Sequence, residues 1–259
     1  YGHMNFVRAM RDATGLSCSM NSFEEITKAK AILLIGSDIT ETHPITGLRV
    51  KEAIRVYKSN VFIANPRTTH LAKLEFDNVH HLRLHPETEN WFVTGLIKAL
   101  IERDLFDKDA TAPYPEALKA IKAALETMSL EAIAVKTNID VDTIVDVATI
   151  LTQSPRTVIL CAEGVSMRAG GYTAMLNLID LAWLTGALLK PGSGITCLPE
   201  EANEQGAVDM GVAPELLPGQ VAFSDAEART RCGVAWGCEL PPENSGASLM
   251  EILDRCRNG

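Results

Sequence analysis

Short, continuous apolar runs alternate with amphipathic stretches along most of the chain. Residues 31–36 (AILLIG) are apolar without a break, the mark of a strand covered on both faces. Residues 60–64 (NVFIA) and 157–162 (TVILCA) repeat that pattern, and 80–84 reads as a weaker strand. Helical periodicity predicts helices over 4–14, 47–57, 90–104 and 173–189. In 90–104, Trp91, Val93, Leu96, Ile97, Leu100 and Ile101 share one apolar side. Ser22 followed by Glu25 is a capping box opening a helix over 22–30, and Asp140 is an N-cap for a helix over 141–151. Two or three helices with no strand between them are expected in 113–154. Loops are expected at 37–44 and 163–171, and Pro191-Gly192-Ser193-Gly194 stops the helix before it. From 199 to 247, Gly, Pro, Asn and Glu dominate with little periodicity, so this stretch is expected to be irregular; a last helix is expected over 248–256.

Strands alternating with helices call for an α/β fold: a three-layer, Rossmann-like, mostly parallel sheet with helices on both faces. It should span about residues 15–198 with at least four strands and 31–36 at its centre. Right-handed crossovers put the loops 36–44, 65–70, 85–89 and 163–171 on one rim, where such sheets bind ligands. The stretch after 199 is too long for an ordinary loop. The expected organisation is therefore one α/β domain over 1–198, with 199–259 a partial segment of an adjacent α/β domain that this chain does not complete.

Charge and cysteine content narrow the chemistry. Lys and Arg total 24 against 33 Asp and Glu, a net charge of -9, which argues against non-specific nucleic-acid binding. No apolar run reaches the roughly 18–20 residues of a spanning helix, so no membrane insertion is expected. Residues 1–11 carry no apolar signal-peptide core. The six Cys, at 18, 161, 197, 232, 238 and 256, include no Cys-x-x-Cys pair. That spacing predicts neither a zinc site nor an iron–sulfur cluster from these residues alone, and free thiols in a reducing, cytoplasmic compartment. Cys161, inside a strand pattern, reads as a core residue.

Four segments follow one another in order: AILLIGSDITETHP, VFIANPR, LAWLTGALLKPGSGI and ANEQGAVDMGVAPELLPG. Together they resemble the molybdopterin oxidoreductase family, which includes formate dehydrogenase large subunits and the G subunit of NADH–quinone oxidoreductase (respiratory complex I). The last segment, with Asn203, Gln205-Gly206-Ala207, Asp209-Met210-Gly211 and Leu217-Pro218-Gly219, is the most specific. The resemblance runs over nearly the whole sequence and identifies it as an interior piece of a larger subunit. It implies molybdopterin guanine dinucleotide and iron–sulfur clusters in that parent, with none held by this piece. Other domains of the parent and other subunits of a redox complex are the implied partners. The peripheral arm of a membrane-bound complex is one implied location.

The resemblance also assigns residues. In the first rim loop it implies cofactor-binding roles for Gly36, Asp38, Glu41 and Thr42, beside His43 and Pro44. In the second it implies Asn65 and Arg67, with Asn65 where the family has Asp. Gly164 in the loop after 157–162, and Asn203, complete the set. Pro86-Glu87-Thr88-Glu89 and Glu163 add acidic groups where phosphates are expected. The family's metal ligand, a Cys or selenocysteine followed by His, falls in register with Gly2 and His3. Its catalytic arginine falls on Pro199, beside Glu200 and Glu201. Both positions read as empty, so the resemblance favours a subunit like that of complex I, with catalysis lost and electrons drawn from NADH elsewhere. The alternatives are a domain of an active formate dehydrogenase and a mononucleotide-binding module.

Simpler roles stand beside these. His43 caps a turn before Pro44. His80 and His81 form a solvated pair. Met167, Met175, Met210 and Met250 pack. Lys28, Lys30 and the acids at 200, 201 and 204 are solvated faces.

Overall fold

The computed structural model describes residues 2–241, 247 and 249–258. Within it the chain divides into two compact units, Tyr1–Glu200 and Glu201–Gly259. No helix among the described residues is long and apolar enough to cross a membrane.

The first unit runs α1 (Gly2–Thr14), α2 (Phe23–Lys28), β1 (Ala31–Ile35), α3 (Ile39–Thr42), α4 (Pro44–Arg55), β2 (Asn60–Ala64), β3 (Val79–Leu82), α5 (Glu89–Glu102), α6 (Lys108–Thr111), α7 (Pro115–Leu125), α8 (Leu130–Thr137), α9 (Val141–Gln153), β4 (Thr157–Ala162), α10 (Glu163–Ser166), α11 (Gly171–Leu184) and β5 (Gly194–Leu198). All five strands are parallel, in the order β3-β2-β1-β4-β5. The strand read as the most continuously apolar is the central one, and every residue of it is buried.

Alternation along β1 builds both layers of core. Ala31, Leu33 and Ile35 join Phe6, Met10, Phe92, Leu96, Val147 and Leu178 on one face, where α1, α5, α9 and α11 lie. Ile32 and Leu34 join Ile26, Val50, Ile54 and Leu71 on the other, under α2 and α4. This is the three-layer arrangement that strand–helix alternation predicts. Local start signals act as read: Ser22 and Glu25 exchange the two bonds of a capping box, and Asp140 accepts from the Thr143 N–H. Cys161 is buried, beside Cys197 on the neighbouring strand.

Several boundaries differ from the sequence reading. The polar loop at 37–44 contains the short helix α3, and the loop at 163–171 begins with the single turn α10. The helix expected to reach 189 stops at Leu184, because its last-turn carbonyls are closed off by Thr185 and Gly186 and the backbone turns at Gly186 with φ +75°. Residues 194–198 pair with β4 as a fifth strand that the neighbouring Pro and Gly had obscured.

The second unit is not irregular throughout. It holds α12 (Glu204–Asp209), a two-stranded antiparallel ribbon of β6 (Leu216–Leu217) and β7 (Val221–Ala222), α13 (Ala226–Trp236) and α14 (Leu249–Asn258). Asp225 caps α13 by accepting from the Ala228 N–H, a local signal that the low hydrophobic periodicity had hidden. Residues 242–246 and Ser248 lie outside the described residues, and with them part of the stretch expected to be irregular and the start expected for the last helix.

Candidate functional site

In a sheet of this order the backbone runs outward from β1 to β2 and β3 and, in the other direction, from β4 to β5. The direction reverses between β1 and β4, and ligands of open α/β sheets bind at the strand ends beside such a reversal. Gly36 follows β1 and Gly164 follows β4, so both sit at this point. They face one another: a Cβ on Gly164 would lie 2.2 Å from the Gly36 carbonyl oxygen, and one on Gly36 would lie 2.5 Å from Val165 Cγ2. Gly36 also has φ +78°, which an L side chain rarely adopts. Their lack of side chains lets the two loops touch.

The first rim loop is tied down by its own polar groups. Asp38 is buried, and its carboxylate accepts from the Thr40 N–H and hydroxyl and from the His70 N–H. Burial pushes the Asp38 pKa up, but the bonds from the Thr40 hydroxyl and the His70 and Thr40 N–H groups outweigh it together and hold the carboxyl below its ordinary value. Glu41 is exposed, with Oε1 3.5 Å from His70 Nδ1. Thr42 Oγ1 lies 3.0 Å from Ser37 Oγ and 2.8 Å from His43 Nδ1. The His43 side chain does not cap the turn before Pro44, contrary to the sequence reading; its Nε2 reaches the Pro199 carbonyl at 2.6 Å instead.

The second loop is organised around Asn65, which is buried. Its Oδ1 accepts from the Arg67 N–H at 2.9 Å and its Nδ2 donates to the Ser37 carbonyl at 3.3 Å. The amide therefore braces its own loop and ties it to the loop after β1. Arg67 is exposed, and its guanidinium has no hydrogen-bond or ion-pair partner among the described residues. His81 and His80 are not a solvated pair: both are half-buried, His81 Nε2 donates to the Asn65 carbonyl, and His80 stacks on Phe62 with ring centroids 5.0 Å apart.

Two acids on the other rim loops are buried. Glu89, buried at the start of α5, lies 3.5 Å from Arg168 in the loop after α10. Glu163 is buried at the start of α10. Cys197 is a poor nucleophile, since its hydrogen bond with Cys161 and its burial push the thiol pKa well up. Of the methionines read as packing, Met175 is buried, but Met167, Met210 and Met250 are exposed because each lies on a turn or on a helix side with no core beneath it.

The rim thus brings together Gly36, Asp38, Glu41, Thr42, Asn65, Arg67 and Gly164. Asn203 belongs to the second unit, where it opens α12 with φ +63°. Three residues of the rim escaped the sequence reading: Ser37, His70 and Arg168. Their partners stand 5, 32 and 79 positions away, and only the Ser37–Thr42 separation lies within reach of a local motif.

A family model described as molybdopterin oxidoreductase matches residues 2–228. The alpha subunit of an F420-dependent formate dehydrogenase from Methanocaldococcus jannaschii is 29% identical over 252 residues, covering 97% of this chain and 36% of that subunit. Formate dehydrogenase H of Escherichia coli is 26% identical over 257 residues, covering 99% of this chain and 35% of that protein. The chain spans about a third of the length of these relatives. Among solved structures, the acetylene hydratase of Pelobacter acetylenicus aligns with a TM-score of 0.62 at 20% identity, over 73% of this chain and 25% of that one, a likeness of fold.

Proposed function

Because the chain belongs to the molybdopterin oxidoreductase family, we propose that it is a cofactor-binding domain of a formate dehydrogenase-like subunit. The observation that carries this reading is the set of formate dehydrogenase relatives, which align along almost all of the sequence. They favour it over the complex I reading, which rests on Gly2 and Pro199 alone. Residues 199–259 are read as part of an adjacent domain of the same subunit. Iron–sulfur clusters, other redox subunits and a cytoplasmic location belong to this proposal for the parent protein.

Family membership implies a molybdopterin cofactor in the parent enzyme. When bound, that group supplies a redox-active metal centre. The rim fits its nucleotide end: Arg67 is an exposed guanidinium with no partner among the described residues, suited to forking a phosphate. Asn65 and Asp38 hold the loops that carry Arg67 and Thr42 through hydrogen bonds within the protein. The buried acids beside them are not bare charges, because Asp38 has three donors and Glu89 has Arg168. Gly2 offers no ligand atom, so no step at the metal is assigned to this chain, which alone is expected to oxidise neither formate nor NADH.

Calorimetric titration of GDP into the protein tests the rim. Binding is expected, and Arg67→Ala should weaken it by about tenfold, the loss of one charge-assisted contact. Binding that is absent, or indifferent to Arg67, removes the rim from the reading. Molybdenum analysis and formate-dependent dye reduction on the full-length subunit then separate the two functions. Molybdenum with formate oxidation supports the formate dehydrogenase reading, and neither of them supports the complex I reading.

A further inference from the structure

Asp38, Glu41 and His70 form a cluster whose chemistry is that of a metal site. One ligand atom from each lies within 4.8 Å of the other two. His70 Nδ1 stands 3.5 Å from Asp38 Oδ2 and 3.5 Å from Glu41 Oε1. Around a tetrahedral ion with bonds of about 2.0–2.1 Å, neighbouring ligand atoms are roughly 3.3 Å apart, so these two separations need little change.

The three side chains differ in freedom in a way that suits capture. Asp38 is buried and fixed: Thr40 holds Oδ1 through its N–H and hydroxyl, and the His70 N–H meets Oδ2. Such support from surrounding groups orients a ligating carboxylate. Glu41 and His70 are more than half exposed, so each can close by a small rotation. The ligands come from two loops, after β1 and after β2, that the Asp38–His70 bond already joins.

We infer that Asp38, Glu41 and His70 bind one divalent first-row transition metal ion at the rim. The imidazole sets this apart from an all-oxygen magnesium or calcium site, and two carboxylates with one neutral imidazole are a donor set for Zn²⁺ or Mn²⁺. Three protein ligands leave coordination positions open toward solvent, where an anionic oxygen of a small ligand such as a phosphate can enter. The site stands on these three side chains and does not depend on the redox reading.

The probe is Mn²⁺, followed by loss of its free-ion electron paramagnetic resonance signal. Zn²⁺ alone would be ambiguous, since Cys18, Cys238 and Cys256 are exposed free thiols. One Mn²⁺ per chain is expected, displaced by Zn²⁺. Glu41→Gln and His70→Ala, both at exposed side chains and checked for folding by circular dichroism, should each weaken binding by at least about tenfold. No binding at millimolar Mn²⁺ overturns the site. So does binding that neither substitution changes, or that Glu41→Gln weakens while His70→Ala leaves it intact, because the ion would then sit on carboxylates alone.

Discussion

Gly164 stands so close to Gly36 that a methyl group on it would lie 2.2 Å from the Gly36 carbonyl oxygen. The contact joins the loops after β1 and β4, the two strands between which the sheet reverses direction. A glycine-rich strand end invites comparison with a phosphate cradle, yet the atoms nearest these two positions belong to the protein itself. Closing the strand ends onto each other fixes where the rest of the rim stands.

Gly164→Ala should therefore destabilise the fold by about 1–3 kcal/mol, since the obstacle is a backbone oxygen with no rotamer to escape into. Gly36→Ala meets Val165 and adds the left-handed backbone penalty of about 1–2 kcal/mol. Urea unfolding of the two variants measures both. An unchanged midpoint for Gly164→Ala would show that the loops part without cost.

Asp180 on α11 carries a second prediction. It is half-buried and makes no hydrogen bond or ion pair among the described residues, and burial pushes its pKa up to about 6 from 3.8. Between those values the folded protein holds a proton that the unfolded one releases, so stability falls as pH rises through about 4 to 6. Above that window the ionised carboxylate costs on the order of 2–3 kcal/mol. Asp180→Asn should raise stability by about that amount at pH ~7.5 and change it little at pH ~3.5. Denaturation at the two values checks this, and an equal effect at both would refute the assignment.

How far the sequence discloses this molecule depends on the range of each interaction. The centre of the sheet was legible at residues 31–36, because a strand buried on both faces must be apolar throughout. Ser22–Glu25 and Asp140 were legible because a cap and its target lie three residues apart. Contacts that cross between loops left no such trace. Nothing near Asp38 announces His70, and nothing near Glu89 announces Arg168. Asn65 shows the same limit from the other side. Its chemistry as an amide was readable, but that both ends of the amide are spent on Ser37 and Arg67 follows only from the fold. The strand at Gly194–Leu198 escaped because Pro191 and Gly192 before it and Gly194 at its start read as a turn, while its partner β4 lies more than thirty residues earlier.

His43 carries the last prediction, because its neighbours fix the position of a proton. Its Nε2 lies 2.6 Å from the Pro199 carbonyl oxygen, which can only accept, so the ring must donate there. In the neutral ring Nδ1 then has only its lone pair, and it accepts from the Thr42 hydroxyl at 2.8 Å. The Thr42 hydroxyl, which has both this nitrogen and the Asp38 carbonyl at 3.3 Å to donate to, accepts in turn from the Ser37 hydroxyl at 3.0 Å. One direction thus runs through Ser37, Thr42 and His43 to Pro199, and it ties the loop after β1 to the backbone leaving β5. The His43 side chain makes no cap bond at the start of α4, which leaves the imidazole for this bridge. Nitrogen-15 spectra at alkaline pH should show the neutral His43 ring protonated at Nε2 and bare at Nδ1. His43→Ala, which removes both bonds, should cost about 1–2 kcal/mol of stability, and His43→Gln, which keeps one donor, should cost less. A ring protonated at Nδ1 would reverse the hydrogen-bond direction and break the bond to Pro199, leaving the β1 and β5 ends to be joined by something else.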